Sequence, residues 1–209
     1  KSMNFKLVFK LAGKTLLVAA ACMVLPLLVT LLYREDPMPF LSAMGITALA
    51  GLLLSLLRAD TRFNSREGFF SAGLIWLLVG FFGALPFQFS GYFPSFVDCL
   101  FESISGFTTT GASILTAVEP LPKGILFWRS FIHWLGGMGI LVLTIALLPS
   151  LGARTLHVMK AESPGPIISK LVPKSSQSSK ILYGIYLVLT VLVILALRAA
   201  GMDWFDSVT

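Results

Sequence analysis

The stretch "FTTTGAS", Phe107 to Ser113, sets three hydroxyl residues and a glycine among long apolar segments. Gly111 is free to take backbone dihedrals closed to other residues, and Thr109 and Thr110 each pair a stiff backbone with a hydroxyl. Such a turn, flanked by Thr108 and Ala112, can present a row of peptide carbonyl oxygens. Carbonyls that replace the water shell of a dehydrated monovalent cation are the material of a selectivity filter. The expected site is therefore a cation site at Thr109, Thr110 and Gly111, with Thr108 and Ala112 as flanking filter residues. Ser103 and His133 invite a hydrolase reading, but no nucleophile elbow or third partner accompanies them, and no enzyme is expected. Cys22 and Cys99 lack metal-ligand spacing with the two histidines and read as small packing residues.

A chain that is 56% hydrophobic and 12% charged, with a mean hydropathy of +0.87, has far more apolar surface than a soluble domain could bury. Uncharged stretches run over Thr15–Tyr33, Phe40–Leu57, Phe69–Phe93, Ser130–Ala153 and Ile181–Leu197. Each is about long enough to cross a ~30 Å hydrocarbon core as helix. The expected fold class is all-α integral membrane, with five spans. Lys6, Lys10 and Lys14 precede the first, whose apolar run exceeds the ~7–15 residues of a signal peptide, so it reads as a retained helix.

Between the third and fourth spans, "SFVDCLFESISGF" has helix-like spacing but too little length to cross, since about twelve helical residues rise roughly 18 Å. A half-helix followed by a Thr/Gly loop is a re-entrant segment, tolerated at membrane depth where protein encloses it or water is lined by it. Its C-terminus carries about half a negative charge and favours a cation beyond it.

The net charge of +6 divides by loop. Twelve of the sixteen Lys and Arg fall before the first span, at Arg58, Arg62 and Arg66, or over Arg154–Lys180. The positive-inside rule then makes the N-terminus cytoplasmic and turns "FTTTGAS" outward. Seven of the ten acidic residues fall on that outer side, where they would concentrate cations. The basic balance thus reads as topology, and no nucleic-acid partner is expected.

"FESIS" at Phe101–Ser105 is echoed by "FDSVT" at Phe205–Thr209, 104 residues on, each after a span. A path encircled by carbonyls needs about four loops and this chain holds one with the start of a second. Either four copies assemble or the polypeptide continues. The unfinished second repeat favours a fragment of a longer polypeptide, divided here into a two-helix region 1–64, a first repeat 65–153, a linker 154–180 and a truncated second repeat 181–209.

"GALPF" at Gly83–Phe87, "FESISGFTTTGAS" at Phe101–Ser113, "LPKGILFWRSFIHWLGGMGILVL" at Leu121–Leu143 and "KAESPGP" at Lys160–Pro166 carry a resemblance to the TrkH/TrkG/KtrB superfamily of microbial potassium-uptake proteins. "SREGF" at Ser65–Phe69 and "LLPSLG" at Leu147–Gly152 belong to it as well, and it covers nearly the whole chain. The resemblance implies a pseudo-fourfold pore of four helix, pore-loop, helix repeats preceded by two extra helices, with K+ as the transported ion and no covalent cofactor. One glycine per loop matches Gly111, and Thr109 and Thr110 fall on the filter positions. It further implies a homodimer of the full-length protein in the bacterial inner membrane, bound by a cytosolic ring of nucleotide-binding, TrkA-like regulatory subunits. The basic loop Arg154–Lys180 is on the side where such a ring would dock, and it equally suits anionic membrane lipid. A sodium-coupled or sodium-permeable transporter of the same fold, and a non-conducting membrane scaffold, are the alternative readings.

Gly136, Gly137 and Gly139 in the fourth span can bend a helix or admit a close neighbour, packing being preferred. His133 and Trp134 read as interfacial anchors and Arg129 as snorkelling outward. Glu102 is expected to make a structural hydrogen bond behind the loop.

Overall fold

The computed structural model describes residues 4–57, 65–139 and 175–209, all helix and connecting turn with no strand among them. The chain divides into two units, Lys1–Gly136 and Gly137–Thr209.

In the first unit, α1 (Phe5–Cys22) begins at Asn4, whose side chain accepts from the Leu7 amide at 3.2 Å. α2 (Val24–Leu32) continues it after a break at Met23, because Pro26 has no amide to donate back to Cys22 and its ring crowds that carbonyl. Together they make a 28-residue apolar stretch, Phe5–Leu32. The helix starts ten residues before the expected Thr15, since lysines interrupt an apolar window without interrupting a helix. At 1.5 Å per residue it is about 42 Å long, enough to leave Lys6 and Lys10 beyond a ~30 Å core with Lys14 at its edge.

α3 (Met38–Ser55) returns against α1. Their backbones touch at two glycines: a Cβ on Gly13 would lie 2.5 Å from the Ser55 nitrogen, and one on Gly51 2.9 Å from the Gly13 oxygen. Small residues at a helix crossing are how membrane helices gain close packing without a hydrophobic drive. α4 (Ser65–Gly83) also packs on α1, with Phe5 and Phe70 edge to face at 5.9 Å. Pro86 breaks it at Ala84, and α5 (Leu85–Ser90) completes a second long apolar stretch, Gly68–Ser90.

Gly91, at φ +73°, turns the chain to Ser95, which caps α6 (Phe96–Phe107) by accepting from the Asp98 amide. The expected half-helix is thus present, at twelve residues. A loop leads to α7, helical over 123–139. The fourth expected span, Ser130–Ala153, is helical as far as 139 and otherwise lies outside the described residues, as does most of the expected linker. Four helical stretches among the described residues are long and apolar enough to cross a membrane.

The core gathers around α6: Phe40, Phe87, Cys99, Phe107, Ile125, Trp128 and Ile132 pack together, while Leu28, Leu32, Leu49, Leu53 and Leu77 stay exposed. Buried alongside that core are Thr30, Thr47, Ser103 and Glu102. Thr30 and Thr47 satisfy their hydroxyls on the carbonyls four residues back, at 2.8 and 2.7 Å.

In the second unit, α8 (Ser175–Ala199) holds the fourth apolar stretch, Lys180–Ala199, and α9 (Trp204–Val208) follows. Arg198 binds the Met202 carbonyl at 2.7 Å and lies over the Trp204 ring, closing the turn between them. Ser207 of the echoed motif is buried, as is its counterpart Ser103.

Candidate functional site

The loop grows out of the end of α6. The amides of Thr109 and Thr110 bond back to the carbonyls of Gly106 and Ser105, at 2.9 and 3.0 Å, in the paired pattern of a Schellman turn. The left-handed position in that turn belongs to Thr109, at φ +56°. A β-branched residue there is a strained outlier worth about 1–3 kcal/mol. Thr108 steadies the turn, donating to the Ile104 carbonyl at 2.8 Å and sharing a hydrogen bond with the Thr110 hydroxyl at 2.9 Å. Gly111 is left-handed too, at φ +74°, and a Cβ there would meet nothing within 4 Å. Its glycine is thus required by conformation and not by crowding.

Thr108 through Ile114 are exposed. Among the described residues, the carbonyl oxygens of Thr109, Thr110 and Gly111 accept no hydrogen bond, whereas that of Ala112 accepts one from Ser105 Oγ at 2.6 Å. The five expected residues therefore divide. Three offer open carbonyls beyond the helix, Thr108 ends the helix with its own carbonyl also open among the described residues, and Ala112 is tied back to it.

The return leg is held by Glu102, which is 1% exposed. Its Oε1 accepts from the Ser113 hydroxyl and from the Ile114 amide, the latter at 2.8 Å. Its Oε2 accepts from Arg129 Nε at 3.1 Å. The expected structural role of Glu102 is met. Arg129 differs from expectation: it does not snorkel outward but turns to Glu102, with its side chain 20% exposed. A buried carboxylate is the stronger attraction, because leaving either charge unpaired there costs several kcal/mol.

α7 backs this arrangement. Trp128 is fully buried, its ring edge to face with Phe107 and its indole N–H on the Gly83 carbonyl at 3.0 Å. A Cβ on Gly136 would fall 2.1 Å from the Phe107 oxygen, and one on Gly106 2.4 Å from Ile132 Cδ1. Gly136 is thus a packing glycine, as preferred from sequence. His133 Nδ1 lies 2.8 Å from the Arg129 carbonyl, one turn back on its own helix. Cys99, buried beneath α6, donates weakly to Gln88 Oε1 at 3.6 Å, and burial pushes its thiol up to about 11.

Sequence reasoning missed Glu35. It accepts from the amides of Lys123 and Gly124 at 2.6 and 2.9 Å, capping α7 from 88 residues away. Nothing local in the sequence pairs these segments. Arg129 and Glu102 did carry a signal, as two opposite charges set in apolar helical segments.

Long apolar helices that expose leucine and bury serine, threonine and a carboxylate define a multi-pass membrane protein. The chain belongs to the TrkH family of cation transport proteins, whose family model matches residues 38–204. It is similar to the Trk system potassium uptake protein TrkH of Halomonas elongata, with 41% identity over 98% of this chain and 44% of that protein. The Escherichia coli K12 protein of the same name is 40% identical over 99% and 44% respectively. The Trk system potassium uptake protein TrkG of that strain is 30% identical over 98% and 43%. The chain thus spans less than half the length of these relatives.

Proposed function

We propose that this chain supplies the first of four filter loops of a potassium-uptake protein of the bacterial cytoplasmic membrane, with its N-terminus cytoplasmic. The observation that carries the reading is the loop itself. A half-helix delivers three successive peptide carbonyls, at Thr109, Thr110 and Gly111, that are exposed and accept no hydrogen bond among the described residues. A K+ ion arriving there exchanges hydration oxygens for carbonyl oxygens, and the partial negative charge at the C-terminus of α6 favours it. Inward movement is driven by the membrane potential, about 2.3 kcal/mol per charge per 100 mV. Two features support this use. Gly111 has open space around it, so its left-handed backbone serves the course of the chain. Glu102 and Ser105 hold the far end of the loop without occupying those three oxygens.

The remaining assembly is part of the same proposal: three further loops complete the filter, two copies form a dimer, and a TrkA-like nucleotide-binding ring regulates from the cytosol. The relatives named for potassium uptake favour K+ as the cargo.

Uptake by potassium-requiring cells carrying the full-length protein tests the reading. Gly111→Ser is expected to lower the preference for K+ over Na+, because serine resists the left-handed backbone. Unchanged uptake and preference in that variant, at normal membrane level, would overturn it. An unmodified protein that moves Na+ as readily as K+ would favour the sodium-permeable alternative, and one that moves neither would favour a scaffold.

A further inference from the structure

We infer that Glu102, paired with Arg129, is a positioning residue that sets ion preference by fixing the return leg of the loop; the inference rests on the filter reading above. The loop has two anchorages of different kind. Its first three residues are tied to α6 by backbone amides of its own chain. Its last residues, Ser113 and Ile114, have no such tie and both hang on one carboxylate oxygen. The other oxygen of that carboxylate is taken by Arg129 from α7. The three exposed carbonyls thus sit on a short bridge whose far side is held first by the Ser105 hydroxyl on the Ala112 carbonyl and then by a buried ion pair at Ser113 and Ile114.

Charge is what this arrangement needs. An ionised carboxylate accepts at both oxygens, so it can bind loop and guanidinium together. A glutamine in its place keeps one acceptor but turns an N–H2 toward Arg129 Nε–H, two donors facing each other. The loop bonds persist in weaker form, and a half-buried guanidinium loses its counter-charge. A looser bridge lets the carbonyls follow a smaller ion inward, and the preference for K+ over Na+ falls.

The echoed motif suggests a finer variant. Glu102 corresponds to Asp206 in "FDSVT", one methylene shorter. Glu102→Asp in the first repeat would retain the charge while withdrawing the carboxylate from Ser113 and Ile114.

The test uses the full-length protein and reads the ratio of K+ to Na+ uptake, normalised to the amount in the membrane. Glu102→Gln is expected to lower the ratio about tenfold, the scale of one charge-assisted hydrogen bond. Ser113→Ala, at an exposed position that leaves the ion pair intact, is expected to lower it about threefold, less than Glu102→Gln because the Ile114 amide still binds Glu102 Oε1. Glu102→Asp should fall between Ser113→Ala and Glu102→Gln. Ser95→Ala, which uncaps the opposite end of α6, is the control for general destabilisation and should lower abundance without moving the ratio. If Gly111→Ser shifts the ratio and neither Ser113→Ala nor Glu102→Gln does, the filter reading stands and this inference is wrong. The inference is equally wrong if Ser95→Ala moves the ratio as far as Glu102→Gln. If Gly111→Ser leaves the ratio unmoved as well, the filter reading itself has failed. Should Glu102→Gln not reach the membrane, Ser113→Ala decides alone, and an unchanged ratio in it overturns the inference.

Discussion

Two helices of this protein end in the same turn and put it to opposite uses. α2 closes with Arg34 left-handed at φ +57° and the Glu35 amide on the Thr30 carbonyl at 2.9 Å. α6 closes with Thr109 left-handed and the Thr110 amide on the Ser105 carbonyl. Both are Schellman turns with a side chain where glycine is usual. After the first, the next residue is spent on structure, for Glu35 caps α7 with both oxygens. After the second, three carbonyls accept nothing among the described residues. The carbonyls of Arg34, Glu35 and Asp36 are equally open among the described residues. What separates the two turns is therefore the Glu35 side chain, which ties the first to α7, whereas among the described residues no side chain of 109–111 bonds to another helix.

The contrast breaks most visibly at the carboxylates. Glu102→Ala strips Ser113 and Ile114 of their anchor and removes the carboxylate partner of Arg129, and is expected to cost about 3–5 kcal/mol, read as a fall in melting temperature of the full-length protein in detergent. Glu35→Ala uncaps α7 and is expected to cost about 2 kcal/mol, combining a lost cap with lost charge-assisted bonds. If the Glu35 variant shifted ion preference as strongly as the Glu102 variants, the distinction between a structural turn and a functional one would fail.

Smaller effects refine it. Thr109→Gly relieves a left-handed β-branched residue and is expected to raise stability by about 1 kcal/mol. Arg34→Gly should gain less, since arginine is unbranched at Cβ and exposed. Melting temperatures of the two variants, measured side by side, check the order. Cys99 carries the smallest expectation. With its thiol raised to about 11 by burial, it holds almost no thiolate at neutral pH and should resist maleimide until the protein unfolds. Rapid labelling of Cys99 in the folded protein, located by peptide mapping to separate it from the partly buried Cys22, would show that α6 does not pack as described.

The legible features of the sequence were the local ones. Apolar length gave the helices, and the shortfall of "SFVDCLFESISGF" gave the half-helix, because both are local properties. The break at Ala84 was legible in principle from Pro86. The loop was found by its glycine and threonines, yet the strained residue is Thr109 as well as Gly111, and no propensity nominates a threonine for a left-handed turn. The first helix began early because a hydropathy window ends at a lysine where a helix need not. Contacts that join distant segments, Glu35 to α7 and Trp128 to Gly83, left no mark in composition or spacing. Glu102 and Arg129 lie between these cases. Their charge amid apolar sequence flagged each of them, and only packing made them a pair.

All of this depends on the peptide oxygens at Thr109, Thr110 and Gly111 coordinating an alkali ion. A crystal structure of the full-length protein in Rb+, with the ion located by its anomalous scattering, would show whether they do. The expected result is an Rb+ peak in coordination contact with at least two of those three oxygens, lost in Gly111→Ser. Rb+ bound elsewhere, with the 109–111 carbonyls turned onto protein donors, would refute the assignment.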